Sequence, residues 1–356
     1  MSDSLSIQSI YRTYTATFID DFRTAFLEVL RPGDVVITDR IVREINADTF
    51  ASIPSDVRTI AIDANEEQKS YERLAWIIEL LIEGGFKKNN RLVAVGGGIV
   101  QDVTAFIASI LYRGVEWIFF PSTLLAQCDS CIGSKTSINF GKYKNQIGNF
   151  YPPSEIHICP AFLDSLPDIA IRSGIGEMIH YFLVAGDTDY RMIRSSYHDC
   201  MKDPAIMRRL ILRSLEIKKS YIERDEFDKG PRQVFNYGHS FGHAIESVTQ
   251  YAVPHGVAVS FGMDIANFIS ARLGLISDTL RGEVRELLVW NWQGSSVDGL
   301  DVRAFEKALS KDKKNVGNEL RVILTKGLGD MFKSPLPLDS KTSSWFDEWF
   351  RDWRNA

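Results

Sequence analysis

An α/β N-terminal domain followed by a mostly α-helical C-terminal domain is the fold class this sequence predicts, on three observations. Short apolar runs alternate with helical stretches through the first half of the chain. One of these runs ends in a glycine triplet that opens into a helical pattern. From about Asp164 the strand-like runs nearly disappear and long amphipathic patterns follow. This change of texture divides the chain into domains at 1–163 and 164–356, with the cleft between them as the default place for a site.

The strands are read, in order, from "GDVVITD" (33–39), "VRTIAID" (57–63), "RLVAVGGG" (91–98), "WIFFPSTL" (117–124) and "EIHICP" (155–160). Unbroken β-branched and aromatic runs of this length mark strands buried on both faces. Between the second and third, "EEQKSYERLAWIIELLIEGG" sets Leu74, Ile77, Ile78 and Leu81 at helical spacing and stops at Gly84 and Gly85. Strands alternating with helices predict a mostly parallel sheet covered on both sides. Further on, "AIMRRLILRSLEIKKSYIERDEF" and "SFGMDIANFISARLGLI" read as long helices, and neither a repeat nor a low-complexity linker interrupts the chain.

At 356 residues there is room for two cores, and 45% hydrophobic with 24% charged residues is ordinary for a soluble protein. A net charge of −5 argues against a nucleic-acid or membrane-surface partner. No apolar run approaches the roughly 20 residues that span a bilayer. The start "MSDSLSIQSI" has no basic region followed by an apolar block, so a secretory signal is not expected. Four cysteines suit reduced thiols in a cytoplasmic protein. Cys128 and Cys131 form C-x-x-C, but without a second pair a zinc knuckle is not expected, and packing is the expected role.

Two segments point to chemistry. In "VAVGGGIVQD" the glycines let a backbone approach a ligand, and the helix that follows offers free N–H groups to a pyrophosphate. The spacing is not G-x-G-x-x-G, so a tight turn and a phosphate cradle both remain open. The second segment, "NYGHSFGHAIESVTQYAVPHG" (236–256), holds three of the six histidines. His239 and His243 stand one helical turn apart on one face. Ser240 stands where a zinc-protease helix has glutamate, so a metal would need a further ligand from elsewhere.

The longest informative block is "PSTLLAQCDSCIGSKTSINFGKYKNQIGNFYPP" (121–153). With "GGGIVQD", "LYRG", "RSGIGEMIH", "DEFDKGPRQVFNYGHSFGHAIE", "HGVAVSFGM" and "KDKKNVG", it resembles the 3-dehydroquinate synthases, members of the sugar phosphate cyclases. The resemblance runs in order from about Asp39 to residue 317. It implies a nucleotide-binding first domain and a metal-binding second domain. It also implies transient oxidation by NAD, which is returned unchanged, with phosphate elimination and closure of a carbocycle.

By this resemblance Glu177, His239 and His255 are the metal ligands, with zinc expected and cobalt possible. Two histidines and a carboxylate also leave the open position that a catalytic zinc needs. Lys135, Asn145, Asn236, His243 and Lys313 match a phosphate-holding set, and Arg113 matches an arginine that serves a neighbouring subunit, which implies a homodimer. Lys218 and Arg232 match groups that recognise the carboxylate end and hydroxyls, and Asp129 a hydroxyl contact. On the NAD side the matching positions are Asp39, Glu66, Lys69, Gly97, Gly98, Asp102, Thr123, Lys144 and Asn145. The implied substrate is a small phosphorylated keto-sugar acid of the 3-deoxy-heptulosonate 7-phosphate kind.

Two positions depart from the family. Gln101 replaces a usual glycine in the NAD turn, and His180 replaces an active-site lysine three residues after Glu177. His180 is expected on the same cleft-facing side of the helix. A different keto-sugar phosphate, from polysaccharide or secondary metabolism, is therefore the alternative substrate. A polyol dehydrogenase on the same fold is the alternative chemistry.

Overall fold

All five runs read as strands form strands, and all five lie in one sheet. The computed structural model describes residues 4–141, 143–311 and 319–354. In chain order the first strands are β1 (Ser4–Gln8), β2 (Thr13–Phe18), β3 (Val35–Asp39), β4 (Arg58–Ile62), β5 (Leu92–Gly96), β6 (Trp117–Pro121), β7 (Ile138–Phe140), β8 (Tyr143–Ile147) and β9 (Glu155–Ile158). Seven form a sheet of order β1-β2-β9-β6-β5-β3-β4. It is parallel apart from the antiparallel β1–β2 pair at one edge. The short β7–β8 pair stands separately. β1 and β2 escape the apolar-run criterion because they are rich in serine and threonine; only one face of β2, Tyr14, Ala16 and Phe18, is buried.

Five helices accompany these strands: α1 (Phe22–Val29), α2 (Arg40–Ile45), α3 (Ala47–Ala51), α4 (Tyr71–Glu83) and α5 (Gly98–Ile110). In α4 the predicted stripe buries Leu74, Ile77 and Leu81, and Gly84 ends the helix. The chain runs from β3 out to β4 and returns to β5 on the other side of β3. In open parallel sheets, ligands collect at the carboxyl ends of the strands beside such a reversal. Asp39 and the glycine turn 96–98 are what this chain places there.

The second half contributes α6 (Asp168–Ala185), α7 (Asp187–Cys200), α8 (Pro204–Ile222), α9 (His239–Val248), α10 (His255–Arg272), α11 (Asp278–Trp292), α12 (Val302–Ser310) and α13 (Ser340–Asp352). α10 is buried from Gly256 through Ser270, and α6 nearly so from Ser173 through Val184. Helices covered all round are the centre of a helical core. A hairpin of β10 (Glu319–Thr325) and β11 (Met331–Pro337) joins them, within the mostly helical expectation but not itself read from the sequence. Pro335 and Pro337 weaken the strand signal of β11 in the sequence.

The chain divides into two compact units: Met1–Leu166 with Lys218–Phe227, and Pro167–Ile217 with Asp228–Ala356. The segment 218–227, which sequence assigns to the second domain, thus belongs with the first. Its contacts give the reason: Glu223 accepts the Gln8 N–H, and Glu226 accepts from Ile10 N–H and Ser9 Oγ, more than 200 residues away. No helix among the described residues is long and apolar enough to cross a membrane.

The register of β3 against β5, which sets the ligand end of the sheet, is anchored by a buried ion pair. Asp34 accepts from Arg91 at its backbone N (3.2 Å), Nε (3.2 Å) and Nη2 (2.5 Å). Val35 N–H in turn donates to Arg91 O at 3.0 Å. Asp34→Ala leaves a buried guanidinium without its counter-charge, a loss of about 3–5 kcal/mol. The urea midpoint of unfolding should fall accordingly; an unchanged midpoint would show that the pair does not hold the sheet.

Candidate metal centre and nucleotide turn

Three helices of the second unit bring one carboxylate and two imidazoles together. Glu177 lies in the middle of α6, while His239 and His255 are the first residues of α9 and α10. Gly238, with a φ of 78°, supplies the left-handed turn into α9, and Pro254 precedes α10. Glu177 Oε1 stands 3.2 Å from His239 Nε2 and 3.0 Å from His255 Nε2. These three donor atoms lie within 4.8 Å of one another. Bonds of about 2.0–2.2 Å in a tetrahedron put neighbouring ligand atoms about 3.3–3.6 Å apart, slightly wider than the spacing here.

Although both nitrogens are near, Glu177 Oε1 is buried and makes no hydrogen bond with either. A buried carboxylate oxygen without a hydrogen bond, beside two imidazole nitrogens, is a donor set that suits a common cation. The opposite ring nitrogens are held from behind. His239 Nδ1 lies 3.2 Å from Tyr237 O, and His255 Nδ1 lies 3.1 Å from Glu246 Oε2. Each contact makes Nδ1 the protonated nitrogen and leaves Nε2 as the ligand atom. His243, Glu246 and His255 form a second possible donor group, in which Glu246 already engages His255 Nδ1.

Charge follows the geometry. Burial works against the Glu177 carboxylate, yet the imidazoles of His239 and His255 hold its pKa well below the usual range. Burial likewise opposes charge on His255, and the carboxylates of Glu177 and Glu246 outweigh it and raise its pKa well above the ordinary histidine value. His180 shares the Glu177 side of α6 but is enclosed. It is fully buried, ringed by Tyr181, Phe235, Tyr237 and His239, with Nδ1 3.9 Å from Glu177 Oε2. It backs the ligands and does not present an open face. His243 is exposed, its ring 5.5 Å from that of His255. Arg232 is buried in the turn Pro231–Asn236, where Asn236 Nδ2 donates to Gln233 O.

In the first unit the glycine turn is shaped for close approach. A Cβ on Gly96 would meet Val100 at 2.5 Å, and one on Gly97 would meet Thr123 at 2.9 Å. At Gly98 nothing lies within 4 Å, so the missing side chain keeps space open at the N-terminus of α5. Beside it, Lys69 Nζ pairs with Asp102 at 2.5 Å; burial raises the Asp102 pKa and Lys69 offsets part of this. Glu66 is opposed by burial but lowered overall by Asn139, Lys144 and Lys69. Asn139 donates to Glu66 Oε2 at 2.8 Å and accepts from Asn145 N–H at 3.0 Å, tying these positions together. Asp39 caps α2 through Ile41 N–H, and burial raises its pKa.

A π-turn at Ala126–Ser130 carries Asp129; such turns gather at functional sites. Lys218 Nζ donates to both Asp129 O and Oδ1 at 2.7 Å. Gln101, the departure in the glycine turn, grips the same element: its Nε2 donates to Ser130 O and its Oε1 accepts from Ser130 Oγ, each at 2.5 Å. Lys135 is exposed. Arg113 is exposed as well, and Arg113 and Asn145 sit at φ of 63° and 52°. Left-handed backbone outside glycine is costly and concentrates at functional sites. Lys313 lies outside the described residues.

Sequence reading missed Asn139, Glu246 and Tyr237. The only available signal was Glu246 on the turn after His243, since a supporting contact has no residue-type signature of its own.

Two family models match the chain: "3-dehydroquinate synthase N-terminal" over residues 59–173 and "3-dehydroquinate synthase C-terminal" over 174–315. A 3-dehydroquinate synthase of Sulfurovum sp. (strain NBC37-1) is 36% identical over 274 residues, 77% of each chain. Among solved structures, 2-epi-5-epi-valiolone synthase (ValA) from Streptomyces hygroscopicus subsp. jinggangensis 5008, with NAD+ and Zn2+ bound, is similar at TM-score 0.85. It is 21% identical, over 95% of this chain and 97% of that one. A 2-deoxy-scyllo-inosose synthase complexed with carbaglucose-6-phosphate, NAD+ and Co2+ is similar at TM-score 0.83 and 22% identity, over 98% and 99% of the two chains. At these identities the two structures speak for the fold.

Proposed function

The chain belongs to the 3-dehydroquinate synthase family and is a carbon–oxygen lyase, and we propose that it eliminates phosphate from a 3-deoxy-heptulosonate 7-phosphate-like substrate and closes a carbocycle. The observation that carries the residue assignment is Glu177 Oε1, buried without a hydrogen bond between two imidazole nitrogens. Glu177, His239 and His255 would hold a divalent ion, zinc first and cobalt second. When bound, that ion supplies Lewis-acid polarisation of a substrate oxygen. Gly97 and Gly98, with Asp39, Glu66, Lys69, Asp102, Thr123, Lys144 and Asn145, would hold NAD, which would supply a transient hydride acceptor.

The chain's own residues do the rest. Lys218 spends two of its three N–H donors on Asp129, which fixes the third for a substrate oxygen and orients Asp129. Arg232 offers a planar two-pronged contact to a carboxylate. A departing phosphate needs several cations and donors, for which Lys135, Asn145, Asn236, His243 and Lys313 are the set. Arg113, exposed and held in left-handed backbone, is assigned to the phosphate of a second copy, which makes the working form a homodimer. Cys128, Cys131, Cys159 and Cys200 are free and buried, which fits the reducing cytoplasm.

A second reading keeps the chemistry and changes the sugar phosphate. It rests on His180, where an imidazole stands in place of the family's ammonium. Incubation with the heptulosonate phosphate, following inorganic phosphate and NADH, separates the readings. Phosphate without net NADH is expected. Stoichiometric NADH would mean a dehydrogenase, and neither product from protein that binds metal and NAD would favour the other sugar phosphate.

Glu177→Gln and His239→Ala should each lose the bound ion while keeping the helical circular-dichroism spectrum; full metal content in both would remove the assignment. Arg232→Lys preserves charge but not the fork, and loss of such a buried contact costs about 2–5 kcal/mol. kcat/KM should fall by roughly 30-fold or more. Unaltered kinetics would mean that Arg232 does not touch the substrate.

A further inference from the structure

Each of the three assigned ligands has a glycine beside it in the chain: Gly176 before Glu177, Gly238 before His239, and Gly256 after His255. All three glycines sit where helices touch backbone to backbone. A Cβ on Gly176 would stand 2.0 Å from Gly256 O, and one on Gly256 would stand 1.8 Å from Ser173 O. On the other side of α10, a Cβ on Gly238 would meet Val259 O at 2.8 Å, and one on Gly262 would meet Gly238 O at 2.0 Å. Separations that short are never occupied by a side chain, so α6 and α9 approach α10 as closely as they do only because these positions are glycine.

The α6–α10 crossing also carries a specific lock. Ser173 lies one helical turn before Glu177, on the same face of α6. Its Oγ accepts the Gly256 N–H at 3.0 Å. That amide is in the first turn of α10 and has no partner within its own helix. Gly256 O accepts from Ser260 Oγ at 2.9 Å, and Ser260 Oγ accepts from Asn291 Nδ2 at 2.9 Å. Asn291 Oδ1 accepts from Tyr197 OH, which itself accepts from Arg172 Nη1. Ser173, Ser260, Asn291 and Tyr197 are all buried. One face of α6 therefore presents two contacts a turn apart, Ser173 to the residue after His255 and Glu177 to His255 itself.

We propose that Ser173, together with the Gly176–Gly256 crossing it locks, sets the separation of Glu177 from His255 and so acts as a positioning element for the metal centre. The proposal rests on the assignment of Glu177, His239 and His255 as ligands. Ser173 is a positioning residue, not a catalytic one. It acts through the distance between two donors, so its removal should weaken metal binding more than its effect on stability explains.

The test is zinc affinity of the purified full-length protein, by competition with a chromophoric chelator, alongside the melting temperature of the metal-free form. Ser173→Ala and Gly176→Ala should bind zinc roughly 10–100-fold more weakly than wild type, the range typical of residues that orient metal ligands. Leu210→Ala, a truncation in the buried face of α8 away from the crossing, should lower the melting temperature and leave zinc affinity unchanged. Gly282→Ala, where a Cβ meets nothing within 4 Å, should change neither for the worse. If Gly176→Ala does not fold, Ser173→Ala alone decides. Wild-type affinity in the Ser173 and Gly176 variants overturns the positioning role and spares the ligand assignment. A zinc loss in Leu210→Ala equal to that in Ser173→Ala also overturns it. A wild-type protein that takes up no zinc overturns the ligand assignment and the proposal together.

Discussion

A carboxylate as deeply buried as that of Glu177 is costly unless positive charge meets it, and here two imidazoles reach its Oε1 from two other helices. The second unit can be understood from this requirement. α6 must run through the core, because Glu177 sits at its middle with Ile175, Met178 and Ile179 buried around it. α9 and α10 must begin at the carboxylate, because their first residues are the imidazoles. Gly238 and Pro254 stop the preceding chain at those points. Glycines at the crossings let the helices come near enough for side chains as short as these to meet.

The first unit obeys a different constraint, the reversal of strand order at β3. Adjacent carboxyl ends there leave a crevice that a parallel sheet cannot fill with its own connections. The chain fills its rim with polar groups in pairs: Lys69 with Asp102, Glu66 with Asn139, Gln101 with Ser130, Lys218 with Asp129. Gln101 is instructive for what its side chain reaches. A glycine at that place could not reach the π-turn, whereas the glutamine makes two hydrogen bonds to Ser130 next to Asp129. The glycine turn and the element bearing Asp129 are thereby mechanically joined in this chain.

His180 shows why a substitution read against a family needs its surroundings. Spacing alone puts it on the same side of α6 as Glu177, which is true of its Nδ1, 3.9 Å from Glu177 Oε2. Yet the ring is enclosed by Tyr181, Phe235 and Tyr237, an environment that suits an imidazole and would penalise a permanent ammonium. The neighbours and the imidazole are consistent with each other.

The fold class, the five strands of the parallel core, the glycine turn and the residue types able to bind a metal are legible in the order of residues. These are local properties: apolar runs, a strand-to-helix junction, histidines one turn apart. Tertiary structure alone decided that residues 218–227 join the first unit, that His180 is enclosed, and which groups stand behind the ligands. Ser173 meets Gly256 across 83 residues, and Lys218 meets Asp129 across 89. Periodicity reports which face of an element is apolar, but not which distant backbone atom a buried hydroxyl will find. That choice is made when helices pack, because each buried polar group must then take whatever partner the crossing brings within reach.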